Sequence, residues 1–238
     1  MFNKTLEEGH RKMFQKELSK EELEKFQTFQ EELLYWNERM NLTAITDERE
    51  IAIKHMLDSL SPLKEEGVME KGKVIDIGTG AGFPGIPLKI MRPSLEMTLL
   101  DSLQKRLNFL KGVIEKLGLE NITTLHGRAE DYGRAPEHRE TYDYAVSRAV
   151  ARLPVLLEYA LPFVKVGGFF ICQKGPGVME ELEASTKALE VLGGEVVRIE
   201  EVALPFVERG HHMIMIKKTA ETPKKYPRQA GKPGKSPL

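Results

Sequence analysis

The chain has 238 residues, 41% of them hydrophobic and 30% charged, with a formal net charge of -1. That is enough chain for one full core with a small appendage, and the balanced charge excludes a uniformly basic or acidic binding protein. A single cysteine, Cys172, excludes an internal disulfide and a multi-cysteine zinc site, so no metal is expected. No apolar run is long enough to span a bilayer, and Met1-Phe2-Asn3-Lys4 leads into no signal-peptide apolar stretch. A reduced, cytoplasmic setting without membrane attachment is therefore expected.

Residues 1 to 60 read as helical. Ser19 with Glu22 three residues on forms a capping box, and Phe26, Phe29, Leu33, Trp36 and Met40 follow along one stripe. That stripe reads as a core-facing helix rather than an aromatic cofactor box. Asn41-Leu42-Thr43 reads as a connection. Thr46 or Asp47 starts a further helix through Ile51, His55, Leu57 and Leu60, ended by Pro62. His55 and Asp58 share a face of it, as a catalytic pair, a packing lock or the rim of a ligand pocket.

From Lys73 strands and helices alternate. Candidate strands are 73–78, 96–101, 122–127, 142–147, 168–173, 195–202 and 211–217, and Ser102 to Leu117 is the clearest helix between them. The pattern predicts a mostly parallel sheet covered on both faces. The last two strands are joined only by Pro205 to Gly210, too short for a parallel crossover, so they should form a hairpin with one antiparallel strand in the sheet.

The first strand runs into Asp76-Ile77-Gly78-Thr79-Gly80-Ala81-Gly82-Phe83-Pro84-Gly85. The spacing Gly78-x-Gly80-x-Gly82 is a bare-backbone turn but not the Gly-x-Gly-x-x-Gly of a dinucleotide site, although Gly85 permits other alignments. Asp76 would repel a pyrophosphate and suits the ammonium or cationic centre of S-adenosylmethionine. The plainer reading is a tight turn with no ligand.

Ligands of such sheets bind at the carboxyl ends of the strands. Asp101 ends the second strand and can accept from ribose hydroxyls, a feature nicotinamide enzymes share. After the third strand, an amide near Ala129 and a carboxylate at Glu130 or Asp131 can read an adenine edge. The fourth ends in Ser147-Arg148-Ala149, placing a charge beside an expected interior. Beyond Lys217 the tail carries Lys218, Lys224, Lys225, Arg228, Lys232 and Lys235 against Glu221 alone, with four prolines that prevent regular structure. It reads either as a disordered solvated end or as a phosphate-gripping arm.

Asn41-Leu42-Thr43, His55-x-x-Asp58-Ser59, the Asp76 to Gly85 turn, Asp101-Ser102-x-x-Lys105-Arg106, Arg128-Ala129-Glu130, Ser147-Arg148-Ala149 and Tyr226-Pro227-Arg228 together resemble the bacterial ribosomal RNA small subunit methyltransferase G family, also called the glucose-inhibited division protein B family. The resemblance implies a class I S-adenosylmethionine-dependent methyltransferase fold: a Rossmann-like, seven-stranded, mostly parallel sheet with one antiparallel strand, behind an N-terminal helical extension. Three parts are then expected: the extension 1–65, a methyltransferase domain 66–220, and a basic, proline-rich tail 221–238. It implies methyl transfer to N7 of a guanine in the 16S rRNA of the small ribosomal subunit, by a monomer. It carries cofactor contacts onto Gly78, Phe83, Ala129, Glu130 and Arg148; Asp76, Gly80 and Asp101 join them from the reading above.

Guanine N7 is an unprotonated lone pair, so no general base is required, and the absence of an acid–base dyad agrees. Arg148 is the positioning candidate, toward the cofactor carboxylate or guanine O6. Cys172 lies within a strand as inert core. The guanine must be splayed out of an A-form helix, with Phe83 and Trp36 as stacking candidates. Lys174, Lys224, Lys225, Arg228 and Lys232 are candidates for gripping phosphates. Competing readings are a methyltransferase on another RNA or a small molecule, a nicotinamide-dependent oxidoreductase, and a non-catalytic RNA-binding module.

Overall fold

A computed structural model describes residues 1–65, 67–175, 177–208 and 211–238. The chain opens with α1 (Phe2–Phe14), α2 (Lys20–Met40) and α3 (Glu48–Ile51). The capping box forms: Glu22 N–H donates to Ser19 Oγ at 3.2 Å, and Ser19 N–H donates to Glu22 Oε2 at 2.7 Å. Asp47 caps α3, its Oδ1 2.9 Å from Glu50 N. The helix does not then continue regularly to Pro62. It widens into a π turn, Ala52–Leu57, and ends in a 3-10 turn, Ser61–Lys64.

Alternation follows: β1 (Gly72–Ile77), α4 (Gly85–Met91), β2 (Leu95–Asp101), α5 (Gln104–Lys116), β3 (Ile122–His126), α6 (Ala129–Tyr132), β4 (Tyr142–Arg148), α7 (Leu153–Ala160) and β5 (Val164–Lys174). Then come α8 (Val178–Glu183), α9 (Thr186–Leu192), β6 (Gly194–Val202), β7 (His211–Lys218) and the one-turn α10 (Lys232–Lys235). The seven strands form one sheet in the order β3-β2-β1-β4-β5-β7-β6. All pairs are parallel except those of β7, which runs antiparallel to β5 and β6. The expected hairpin is present; Arg209 and Gly210, at the end of its connection, lie outside the described residues, as does Glu66 at the expected domain boundary.

The sheet divides the core in two, because successive strand residues face opposite sides. Val74, Ile171, Met213 and Met215 join Phe26, Phe29, Leu33, Ile51 and Leu110, so the N-terminal helices, α4 and α5 cover one face. Ile75, Ile77, Phe170, Cys172, Ile214 and Ile216 join Leu156, Leu157, Phe163 and Tyr226 on the other, under α7, α9 and the C-terminal tail. The central strands, covered on both faces, read as continuous apolar runs. Cys172 sits here fully buried, its thiol pushed up to about 12 by burial. Lys218 is likewise interior rather than a free cation of the tail: its ammonium donates to Leu161 O at 2.6 Å and pairs with Glu140 Oε1 at 2.9 Å. The strand order reverses between β1 and β4, which puts a crevice at their carboxyl ends.

Candidate active site

The turn after β1 is pinned to its neighbour: the amides of Gly78 and Thr79 both donate to Leu100 O, at 2.9 and 3.0 Å. Gly80 has φ +60°, and a Cβ there would meet nothing closer than Gly78 O at 3.9 Å. Its glycine is thus required by backbone conformation, while the space beside it stays open. Gly85 is required by proximity instead. Its amide donates to Asp76 Oδ2 at 2.9 Å, and a Cβ would stand 2.8 Å from that same oxygen.

Asp76 is completely buried. Thr79 Oγ1 also donates to its Oδ2, at 2.7 Å, whereas Oδ1 is buried with no hydrogen-bond partner among the described residues. Burial raises the carboxyl to about 7 against the opposing pull of Thr79 and Gly85. An unpartnered buried carboxylate oxygen carries a desolvation penalty that a cation would relieve.

Asp101 ends β2. It accepts from Gly80 N at 3.0 Å through Oδ2 and from Leu103 N at 2.8 Å through Oδ1. The Arg106 guanidinium also approaches Oδ2, at 3.5 Å, while Oδ1 keeps a further lone pair. From here a cleft of about 150 Å³ runs across the strand ends, lined by Gly78, Asp101, Gly127, Ala129, Glu130 and Tyr159. Four candidates from the sequence, on three separate strand ends, thus share one cavity.

At the β4 end, the Arg148 guanidinium is held from the N-terminal segment. Nη1 donates to Lys54 O at 3.0 Å and pairs with Asp58 Oδ2 at 2.8 Å; Nη2 lies 3.2 Å from His55 Nδ1. Burial, with Arg148 beside it, lowers His55 to about 4. The ring is therefore neutral, Nδ1 accepts, and the proton on Nε2 is donated to Thr43 Oγ1 at 2.8 Å. Burial by itself would raise Asp58, but the bond from His211 Nδ1 to its Oδ1, at 2.6 Å, and the charge of Arg148 hold it below the usual carboxylate range. The π turn presents the Lys54 carbonyl to Arg148 and carries His55, while Asp58 follows directly after it; such turns are frequent at functional sites. The sequence paired His55 with Asp58 but gave no sign that Arg148 and His211, far along the chain, would join them.

The proposed stacking aromatics are occupied. Phe83 stacks on His55 at 4.7 Å, contacts Phe29 at 5.2 Å and lies 4.9 Å below the Arg148 guanidinium. Trp36 packs against Phe109 at 6.3 Å in the core. Two of the proposed phosphate grips are also occupied. Lys174 pairs with Glu181 at 2.7 Å and donates to Ala151 O at 2.8 Å. Arg228 is paired with the buried Glu158 at 2.6 Å. Lys224, Lys225 and Lys232 are exposed. The tail is folded back on the domain: Arg134 Nε donates to Pro227 O at 2.7 Å, and Gly231 N–H donates to Glu130 Oε1 at 2.8 Å.

The fold resembles that of Aeropyrum pernix fibrillarin in complex with S-adenosyl-L-methionine, with a TM-score of 0.52 at 17% identity over 67% of this chain and 72% of that one. Ribosomal RNA small subunit methyltransferase G of Alkaliphilus metalliredigens is 57% identical over 211 residues, 89% of this chain and 88% of that protein. Its counterpart in Alkaliphilus oremlandii is 59% identical over 206 residues, 87% of this chain and 86% of that protein. The family model for rRNA small subunit methyltransferase G matches residues 22–212. With the glycine turn, the Ser147-Arg148-Ala149 strand end and the antiparallel β7 all in place, this chain belongs to the rRNA small subunit methyltransferase G family.

Proposed function

We propose that the protein transfers a methyl group from S-adenosylmethionine to N7 of a guanine in 16S rRNA of the small ribosomal subunit. The observation that carries this reading is the buried Asp76 Oδ1, without a hydrogen-bond partner among the described residues, at the start of a turn in which Gly80 leaves open space beside the backbone. A pyrophosphate would find an acid there; an ammonium would find the partner that oxygen lacks.

When bound, S-adenosylmethionine supplies the activated methyl group. Asp76 would hold its ammonium, Asp101 its ribose hydroxyls, and Ala129 with Glu130 its adenine edge, while Gly78 and Gly80 leave the backbone bare alongside. Arg148 would pair with its carboxylate, backed by the ring of Phe83. Holding Arg148 are a carboxylate, a carbonyl and a neutral imidazole, so its guanidinium is fixed before any ligand arrives. Guanine N7 carries no proton, and the residues need move none. Their contribution is alignment, which is worth about 7–11 kcal/mol of barrier where geometry is good.

We read residues 66–220 as the methyltransferase domain, 1–65 as an extension that covers one sheet face and steadies Arg148, and 221–238 as a tail. Lys224, Lys225 and Lys232 are the exposed cations left to grip phosphates. We read the protein as acting as a monomer. Among the described residues no helix is long and apolar enough to cross a membrane, and a cytoplasmic setting beside the ribosome fits the substrate.

The test is incubation of the protein with S-adenosylmethionine and unmodified small subunits, followed by digestion and mass spectrometry of the nucleosides. The expected product is 7-methylguanosine at one site. Methylation at another atom, or none, contradicts the reading.

A further inference from the structure

The tail is tied down beside the cleft through specific bonds. Arg228 is its anchor. Nε stands 2.9 Å and the backbone N–H 2.7 Å from Glu158 Oε1, while Nη2 stands 2.6 Å from Oε2. Glu158 is completely buried on α7, so this fork is shielded from water and salt. Arg134 and Arg139 donate to the carbonyls of Pro227 and Tyr226, at 2.7 and 2.8 Å, and Tyr226 itself is buried in the core. These contacts leave the tail's backbone no freedom to swing out as an arm.

Beyond this anchor, the tail touches two residues that line the cleft. Gly231 N–H donates to Glu130 Oε1 at 2.8 Å, and a Cβ on Gly234 would lie 3.9 Å from the Tyr159 hydroxyl. Glu130 is only 3% exposed, and Gly231 is its one hydrogen-bonding partner through the carboxylate among the described residues. Gly231 has φ +80°, with nothing within 4 Å of its Cβ position. Its amide is thus aimed by a left-handed turn that α10 and Pro233, buried beneath it, hold in place.

We propose that residues 226–235 are a positioning strap for the adenine end of the cofactor site, with Arg228 as anchor and the Gly231 amide as the contact that orients Glu130. The strap sets affinity for the cofactor, and phosphate gripping is left to the exposed side chains of Lys224 and Lys225 beside it and of Lys232 on its outer side. This rests on the assignment of Glu130 to the cofactor site. A carboxylate oriented by one charged hydrogen bond loses roughly tenfold or more in a binding constant when that bond is removed.

The test is calorimetric titration with S-adenosylhomocysteine of the full-length wild-type chain, Gly231→Pro, Gly231→Ala, Arg228→Lys and the surface control Lys187→Ala, an exposed residue of α9. Steady-state methylation is measured alongside. Gly231→Pro removes the donor and, with its φ locked at about −65°, also breaks the left-handed turn; Gly231→Ala keeps the donor and strains the turn less, and serves if the proline variant fails to fold. The expected result is Kd and cofactor KM raised about tenfold in Gly231→Pro and less in Gly231→Ala and Arg228→Lys. At saturating cofactor kcat is unchanged, and Lys187→Ala keeps wild-type Kd. A merely structural tail would lower kcat with the folded fraction and leave KM alone. Wild-type Kd in folded Gly231 variants overturns the strap while leaving the cofactor assignment intact. No uptake by the wild-type chain overturns that assignment and the strap with it.

Discussion

At the β4 end of the cleft a cation is held by a carboxylate, a carbonyl and a neutral imidazole lent by the N-terminal segment; at the α6 end a carboxylate is held by an amide lent by the C-terminal tail. The two segments cover opposite faces of the sheet. In each case the group stands at or just past a strand's carboxyl end, Arg148 ending β4 and Glu130 on α6 after β3, and a chain end supplies the partner that fixes it. They differ in cost. Asp58 and Arg148 are both largely removed from water, so each needs the other's charge, whereas the Gly231 amide is neutral, so its loss takes a hydrogen bond rather than a counter-charge from Glu130.

The sharpest way to break this symmetry is Asp58→Ala. It leaves Arg148 without its carboxylate, and removing one partner of a buried pair costs about 3–5 kcal/mol. Urea unfolding should show that loss. Methyl transfer by the fraction that remains folded should fall on the order of 100-fold, as expected when a positioning group drifts by an ångström. Asp58→Asn keeps the shape and should fall between. An unchanged midpoint and rate would mean that the N-terminal segment does not hold Arg148.

His55 gives the second effect. Its pKa falls from 6.5 in the unfolded chain to about 4 in the folded one, so the unfolded state binds the extra proton between those values. Its contribution is complete above 6.5 and is lost as pH falls toward 4, with a limiting slope of about 1.4 kcal/mol per pH unit. His55→Asn should flatten the acid limb of a stability–pH curve by that slope. A parallel curve would mean that the ring is not held neutral.

Much of this was legible in the sequence. Strand β1 was expected at 73–78 and is found at Gly72–Ile77, because an apolar run before a glycine turn has few other solutions. The hairpin followed from connection length alone. Strand β5 begins at Val164 rather than 168, since Gly167 and Gly168 read as its start and the sheet tolerates them within it. The π turn was not legible: Ile51, His55 and Leu57 fit an ordinary helix, and what stabilises the wider turn is Arg148, more than ninety residues on. The tail misled by composition. Arg228 and Lys218 look like free cations until the fold brings Glu158 and Glu140 to them, and Lys174 likewise until Glu181 arrives.

The smallest effect separates the strap from the cations beside it. Replacing Lys224, Lys225 and Lys232 by alanine should leave cofactor affinity unchanged and make the slope of log K for RNA against log salt shallower, by about 0.7 for each phosphate no longer neutralised. An unchanged slope would remove these lysines from the RNA surface.

Asp76 decides the whole account. In the free protein its carboxyl titrates at about 7, raised from 3.8 by burial; its stability contribution is complete below 3.8 and is lost as pH rises through 7. A cation against Oδ1 favours the carboxylate, so binding near pH 7 must release a proton. The direct measurement is titration of the full chain with S-adenosylmethionine at about pH 7 in two buffers of different ionisation enthalpy. The account predicts one site per chain, a heat that depends on the buffer, and loss of both in Asp76→Asn. No uptake, or uptake with equal heats and wild-type affinity in Asp76→Asn, would contradict it.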